Sequence, residues 1–427
     1  MASLAHAPVD RSRERGPASS RRTLDAMNFF LADVRDGLGP YLAIYLVAVR
    51  GPAHGWNEQT VGLVLTIAGI VGLLSQTPAG GLIDRSRNKP RVVMVAALLV
   101  TLSSLSLPVV SGFTVVTITQ SIAAAAGAVF APAISAISLG IVGPKLFAKR
   151  VGRNEAFNHG GNAVSAALAG ALAWKFGPVV VFWMMAVLTA LSIAATARLN
   201  NRDIDNAVAR GLDCEPDEEC ETQSAWRTLL ENKPLRTFAA IAFAFHLANA
   251  AMLTSVSQQL ARTVGKDLAT SLTAACIVAA QLVMVPVALI AGRKADTWGT
   301  KPIFLVGFAF LTLRGVLYTL SSDPWWLVGV QALDGVGAGI FGALFPIVIA
   351  DLTKGTGRFN VSQGAVATAQ GLGAALSASL AGAIIVRAGY SVSFLTLAAI
   401  AGAGLLLYLF AMPETKKGAA GDGHAAA

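Results

Sequence analysis

Several groups of residues in this sequence have the types and spacing to do chemistry. The first lies in Asn28–Leu46, NFFLADVRDGLGPYLAIYL, where Asp33, Arg35 and Asp36 interrupt an apolar run. Leu38–Val49 alone is too short to cross a bilayer, so a span here must reach back to Phe29–Leu31 and draw the three charges into it. A charge at the bilayer centre costs about 2.5–3.5 kcal/mol on insertion scales, and residues carrying one normally face an interior and have a partner. Asp33 and Asp36 are three apart and share a helical face with Gly37 and Pro40. Arg35 points elsewhere, about 100° from Asp36. A carboxylate in an apolar medium holds a proton more readily than one in water, so Asp36, and less directly Asp33, could bind and release a coupling proton. The alternatives are a static pairing with Arg35 or a cation on another helix, or a place at the mouth of the span.

Arg314 and Asp334 form a second set. They sit at nearly the same depth in two consecutive apolar runs, given a rise of about 1.5 Å per residue, which predicts an intramembrane ion pair that holds two neighbouring helices together. His246 and Asn249, in FHLANAAML, lie one turn apart on one helical face. They would serve either as polar substrate contacts, with His246 able to titrate near neutrality, or as interhelical hydrogen bonds. His159, in FNHGGN, reads as structural. Cys214 and Cys220 stand among acidic residues with no histidine near and no zinc-type spacing, so neither a metal nor any other cofactor is expected. No Gly-rich loop precedes a Lys-Ser/Thr pair, which leaves ATP drive unsupported. No nucleophile–base constellation stands out, and an enzyme is not expected.

The elements that must position these residues follow from composition. The 427 residues are 54% apolar and 13% charged, about half the charge of a soluble domain. Mean hydropathy is +0.61. Too few charges remain to cover a water-facing surface, so bilayer must replace water around much of the chain. Twelve apolar runs of about 20 residues can be placed, near 25–49, 58–83, 91–111, 114–142, 155–176, 178–199, 235–261, 268–291, 302–321, 325–350, 361–387 and 391–412. The expected plan is an all-α membrane protein with twelve transmembrane helices in two pseudo-symmetric six-helix bundles, 25–199 and 235–412. A linker spans 200–234, with a short surface helix around Trp226, Leu229 and Leu230. Tails at 1–24 and 413–427 read as disordered.

The net charge of +9 would raise nucleic-acid binding in a soluble protein. Here Lys and Arg gather on one side of the expected topology. Arg85, Arg87, Lys89, Arg91, Lys145, Lys149, Arg150, Arg153, Arg293, Lys294, Lys301, Lys354 and Arg358 fall on the side of both termini, against five basic residues opposite. The bias places both termini in the cytoplasm and the protein in a bacterial-type inner membrane, with no nucleic-acid partner.

The halves repeat each other. GGLIDRSRNKPR, Gly80–Arg91, matches AGRKADTWGTKP, Ala291–Pro302, with Asp84 and Asp296 212 residues apart. QSIAAAAGAVFAPA at Gln120 matches QALDGVGAGIFGAL at Gln331, and Gly152-Arg153 matches Gly357-Arg358. Six helices, a loop and six more, related by a parallel repeat, is a transporter plan. At these residues the chain resembles the major facilitator superfamily. The family's loop signature is met by Gly80, Asp84, Arg85 and Lys89, with Arg87 in place of its second glycine, and again by Gly292, Asp296, Gly299 and Lys301. Pro413-Glu414-Thr415-Lys416 resembles the family's usual ending. The chain departs from the drug-efflux branch: the fourth span has Gln120 and Ala123 but no arginine, and the fifth lacks a Gly-Pro.

The resemblance implies that the first and seventh spans border a central cavity, that span nine is peripheral, and that the Asp84 loop gates one side. The function it implies is proton-coupled efflux of a small organic solute by a monomer in the lipid bilayer. A proton-coupled uptake symporter for a sugar or organic acid is the alternative. A transporter-like sensor that does not pump is a third reading, disfavoured by the intramembrane carboxylates.

Overall fold

A backbone that crosses lipid must satisfy its own N–H and C=O groups, and a helix does so within one segment. The structure, a computed structural model, describes residues 17–36, 45–46, 56, 58–110, 112–176, 179–212, 224–264 and 266–416. Its helices are α1 (Ala18–Asp36), α2 (Glu58–Arg85), α3 (Lys89–Leu105), α4 (Phe113–Gly127), α5 (Phe130–Phe176) and α6 (Val180–Ala197) in the first half. After the short α7 (Ala225–Glu231) come α8 (Lys233–Val264), α9 (Lys266–Trp298), α10 (Thr300–Leu317), α11 (Pro324–Ala332), α12 (Asp334–Leu352) and α13 (Phe359–Ala411).

The helices group into twelve spans. α5 turns back at Gly143 (φ 70°) and α13 at Gly389 (φ 82°), so each holds two arms. α4 continues into the first arm of α5, and α11 continues into α12. The result is an all-α membrane protein with two pseudo-symmetric six-helix bundles. Its outward faces carry Leu74, Val386 and Phe410, each more than two-thirds exposed, which suits contact with acyl chains.

Local signals set the ends of these helices. Asn88 caps α3 by accepting from the Arg91 amide, and Pro90 occupies the first turn. Asp323 does the same for α11, accepting from Trp325 and Trp326 ahead of Pro324. The second bundle has an aromatic centre in which Phe304 stacks on Tyr408 and Phe245 on Phe341, with ring centroids 4.9 and 4.7 Å apart.

Two equivalent helix pairs join the bundles: α2 packs on the first arm of α13, and α9 packs on the second arm of α5. At the second pair the backbones nearly touch. A Cβ on Gly152 would lie 2.5 Å from the Ala288 carbonyl and 2.8 Å from Gly292 Cα, so no larger residue fits without parting the bundles. These approaches lie toward one end of the molecule, called here the basic end, which carries the α2–α3 and α9–α10 turns.

Two expectations change. The first helix begins at Ala18, inside the stretch expected to be a tail. Ser20 donates to Asp203 (2.6 Å), Arg150 donates to the Arg21 carbonyl (3.1 Å), and Asp25 is clamped by Arg150 and Arg153 at 2.6 and 2.7 Å. The start of the expected linker is also docked. The Asp205 amide donates to Gly140 O (3.0 Å), Ile204, Ala209 and Leu212 are buried, and Gly211 O accepts from the Gly355 amide of the other half (2.6 Å). Cys214 and Cys220 lie outside the described residues.

Candidate functional site

Between the bundles lies a cavity of about 260 Å³. α1 contributes Arg35, α2 contributes Gln76, α5 contributes Ser135, Asn154 and Glu155, α12 contributes Phe341 and Phe345, and α13 contributes Gln363 and Gln370. Among the described residues, one cation, one carboxylate and four amides thus face a space partly walled by aromatic rings. Such a lining can orient a polar solute by hydrogen bonds while rings cover its apolar parts.

The Arg35–Glu155 pair sets the electrostatics. Arg35 Nη1 is 3.7 Å from Glu155 Oε1, and the two side chains are 26% and 13% exposed. At that distance the charges attract without a good hydrogen bond, so both keep capacity for a ligand. Glu155 also faces His159 (Oε2 to Nε2, 3.9 Å), whose Nδ1 is 2.8 Å from Gln281 Oε1 on α9.

Below the cavity, toward the basic end, a polar chain ties α1 to α5. Arg150 donates to Asn154 Oδ1 (2.6 Å), Asn28 donates to the same oxygen (3.2 Å), and Asn154 donates to Ser138 (2.7 Å). This chain braces the arm of α5 that carries Glu155.

The second bundle holds its own buried polar set away from the cavity. Arg314, 1% exposed, pairs with Asp334 and donates to Asn249 Oδ1 (2.5 Å) and to Met252 Sδ (3.1 Å). Asp334 also accepts from Gln331 Nε2 (3.2 Å), and Tyr318 donates to Gln331. His246 donates from Nδ1 to the Ala242 carbonyl (3.1 Å), with its ring edge-on to Phe341 at 4.6 Å.

Of the residues singled out on the two helices expected to border the cavity, Arg35 lines it, whereas α8, with His246 and Asn249, does not. They serve the interior of the second bundle, because α8 turns that face toward Arg314 and Phe341. Asp33 is half-buried on α1, and the Asp36 side chain lies outside the described residues. Glu155 was missed. The expected fifth span began at residue 155 and so left this carboxylate at its mouth. The helix instead starts from the turn at Gly143, which sets Glu155 roughly 16 Å further in.

The two repeated turns bind differently. Asp84, 4% exposed, accepts from the Asn360 amide (3.3 Å), Asn360 Nδ2 (2.8 Å) and the Val361 amide (2.9 Å), so a carboxylate of the first bundle caps α13 of the second. Gly80 packs on the Asn360 carbonyl beside it. Lys89 is fully buried and donates to Ser86 O (2.9 Å) and Asn206 Oδ1 (2.7 Å), while Arg85 is exposed. In the second turn Asp296 meets Lys416 (3.1 Å), which also reaches Asp351 (3.3 Å). Glu414 caps α10, accepting from Thr300 N (2.9 Å), Thr300 Oγ1 (2.8 Å) and Lys301 N (3.0 Å). Gly299 has φ 84°, and a Cβ there would run into that carboxylate. Burial alone would raise the Glu414 carboxyl, but the hydrogen bonds from Lys416, Thr300 and Lys301 outweigh it and hold it below the usual range.

Comparison with known proteins agrees with this geometry. The family model described as Major Facilitator Superfamily matches residues 26–313 and 238–426. The chain is 53% identical over 399 residues to an uncharacterized MFS-type transporter of Mycobacterium tuberculosis, covering 93% of this chain and 94% of that protein. Among solved structures, the MFS transporter FucP in the outward conformation superposes with a TM-score of 0.71 at 12% identity, over 92% of this chain and 100% of that one. The proton:xylose symporter XylE superposes with a TM-score of 0.71 at 11% identity, over 96% and 98%.

Proposed function

The chain belongs to the major facilitator superfamily, and from that premise we propose that it is a secondary active transporter exporting a small organic solute in exchange for protons. The observation that carries this reading is the cavity between the bundles, with Arg35 and Glu155 from the first bundle and Gln363 and Gln370 from the second. A solute held by groups from both bundles is released when they rock apart. A carboxylate in the same wall lets a proton compete with that solute.

The basic end is the cytoplasmic side in this reading, in line with the distribution of Lys and Arg, and the membrane is the bacterial inner membrane. The bundles meet at that end through Asp84, Gly152 and Gly292, so the conformation is closed to the cytoplasm. Each cycle must then break the three hydrogen bonds at Asp84. The carboxylates available for coupling are Asp36 and Asp33 on α1 and Glu155 on α5. The four cavity amides would also suit a hydroxyl-rich solute, which favours uptake of a sugar or organic acid as the second reading.

The test uses energised everted vesicles containing the overexpressed protein and a pH dye inside. Pooled toxic compounds and metabolites are screened for substrate-induced proton release. Release that is lost in Asp36→Asn or Glu155→Gln supports export against protons. A substrate that moves with protons in the same direction selects the symporter. A substrate that moves with no proton signal overturns proton coupling.

A further inference from the structure

His159 lies one helical turn beyond Glu155 on α5, at the seam between the bundles. Its Nδ1 is 2.8 Å from Gln281 Oε1 on α9 of the other bundle. Its Nε2 is 3.9 Å from Glu155 Oε2 and, although buried, has no hydrogen-bond partner. Both ring nitrogens therefore face oxygen acceptors. A neutral imidazole carries one N–H and can serve one of them, whereas imidazolium carries two and serves both. A buried polar atom without a partner is costly. The arrangement is one proton short.

We propose that His159 and Glu155 form a single proton-binding site at the bundle interface, with Gln281 sensing its state from the opposite bundle. The proposal rests on the coupled-transport reading above and names the site at which coupling occurs. A proton taken up on Nε2 turns the ring into imidazolium, and a small ring rotation brings the new N–H onto Glu155 Oε2. Nδ1–H stays on Gln281 in both states, and protonation turns that bond across the bundles into a stronger, charge-assisted one. Arg35 approaches Glu155 from the other side, Nη1 to Oε1 at 3.7 Å. With the proton bound, both Glu155 oxygens are taken, one by His159 and one by Arg35, and none is left to accept from a solute. With the proton gone, Glu155 faces Arg35 alone and can accept from a solute, so proton and solute compete. Proton and solute are thereby linked through one carboxylate.

Among the described residues, the charged groups around this site are few. Asp33 on α1 is the further described carboxylate near this level and is itself engaged. α9 presents Gln281, α2 presents Gln76, and α13 presents Gln363 and Gln370. α12 presents Gly342, whose Cβ would lie 3.4 Å from Glu155 Oε2. Asp84, Asp296, Asp351, Arg150, Arg153 and Arg358 belong to the basic end and have partners there.

The experiment is solid-state NMR of the full-length protein, labelled with ¹⁵N-histidine, in lipid bilayers between about pH 5 and 8. The resonances missing from His159→Gln assign the ring. The expected result is a doubly protonated ring at the acidic end that loses one proton across the range, with its protonated fraction reduced in Glu155→Gln at equal pH. Gln281→Leu should leave the ring titrating but shift its Nδ1 resonance. A His159 ring that keeps one protonated nitrogen throughout, as it would if the Gln281 amide turned its NH₂ toward Nδ1, overturns the site. The vesicle assay separates this proposal from the reading beneath it. Proton release lost in His159→Gln supports the site as the coupling element, and release retained there but lost in Asp36→Asn moves coupling to α1. A ring that titrates in a protein whose substrate moves without protons supports the proton site and overturns the coupled reading.

Discussion

The Gly80–Arg91 turn and the Gly292–Pro302 turn share a motif 212 residues apart, yet they bind different things. In the first, Asp84 is buried and holds the opposite bundle by capping α13. In the second, Asp296 is half-exposed and holds Lys416, a residue that follows its own bundle. The interiors differ too. The second bundle buries the Arg314–Asp334 pair, whereas the positions 211 residues earlier are Ser103 and Ala123. A repeat in sequence thus preserves the helix plan, and the glycine of each copy meets the opposite bundle, while the two carboxylates divide the labour: Asp84 clasps the bundles, and Asp296 is fastened to the chain's own end. Ion pairs and caps inside one bundle stabilise it in every conformation. Contacts between bundles stabilise one conformation against another.

The largest effect expected from that division is on the buried pair. Arg314→Ala leaves Asp334 uncompensated and should lower the stability of the second bundle by about 3–5 kcal/mol, read by thermal unfolding in detergent. Replacing both partners, Arg314→Met with Asp334→Leu, should restore most of it. A double variant as unstable as the single would mean that Asn249 and Gln331, not the pair, organise that interior.

Next comes the clasp. Asp84→Ala removes three hydrogen bonds to a buried carboxylate and should shift the closed-to-open balance at the basic end by about 3 kcal/mol, on the order of 100-fold, with little change in unfolding temperature. The measurement is the labelling rate of a cysteine placed beside the Gly152–Gly292 contact. Unchanged labelling would make Asp84 a cap of α13 with no hold on conformation.

The cap of α10 is smaller. Glu414→Gln should cost about 1 kcal/mol at neutral pH. Because the folded carboxyl lies below its ordinary value, its contribution is present above the unfolded pKa and is lost as pH falls through the folded one. The gap in unfolding temperature between Glu414→Gln and wild type should therefore close below about pH 4. A gap that persists there would assign the effect to packing.

Smallest is Asp296→Asn. The half-exposed pair with Lys416 is screened by solvent and worth less than about 1 kcal/mol, so transport should change less than about fivefold. Lys416 keeps Asp351.

Much of the helix plan could be read from the sequence, because twenty-residue apolar runs and repeated turns are local signals. The depth of Arg314 and Asp334 could be read for the same reason, since it needs only the rise of a helix. The site was less accessible. Glu155 depended on where a helix begins, and the charges at Arg150 and Arg153 hide that start: they look like loop residues until Asp25 is seen to neutralise them. The partners of Asp84 lie 276 and 277 residues away, and no periodicity links them. His246 and Asn249 occupy one face of α8, but the sequence does not say whether that face meets the cavity or Arg314.

The most direct test of the division between the two turns is an electron–electron distance measurement in bilayers, with spin labels replacing the exposed Arg87 and Lys354 in a cysteine-free background. One label then sits on each bundle at the basic end. A short distance should dominate in the otherwise unaltered protein. Asp84→Ala should move most of the population to a longer distance, and Asp296→Ala should leave the distribution unchanged. Equal shifts from both substitutions, or none from either, would contradict the assignment of the carboxylate clasp to Asp84.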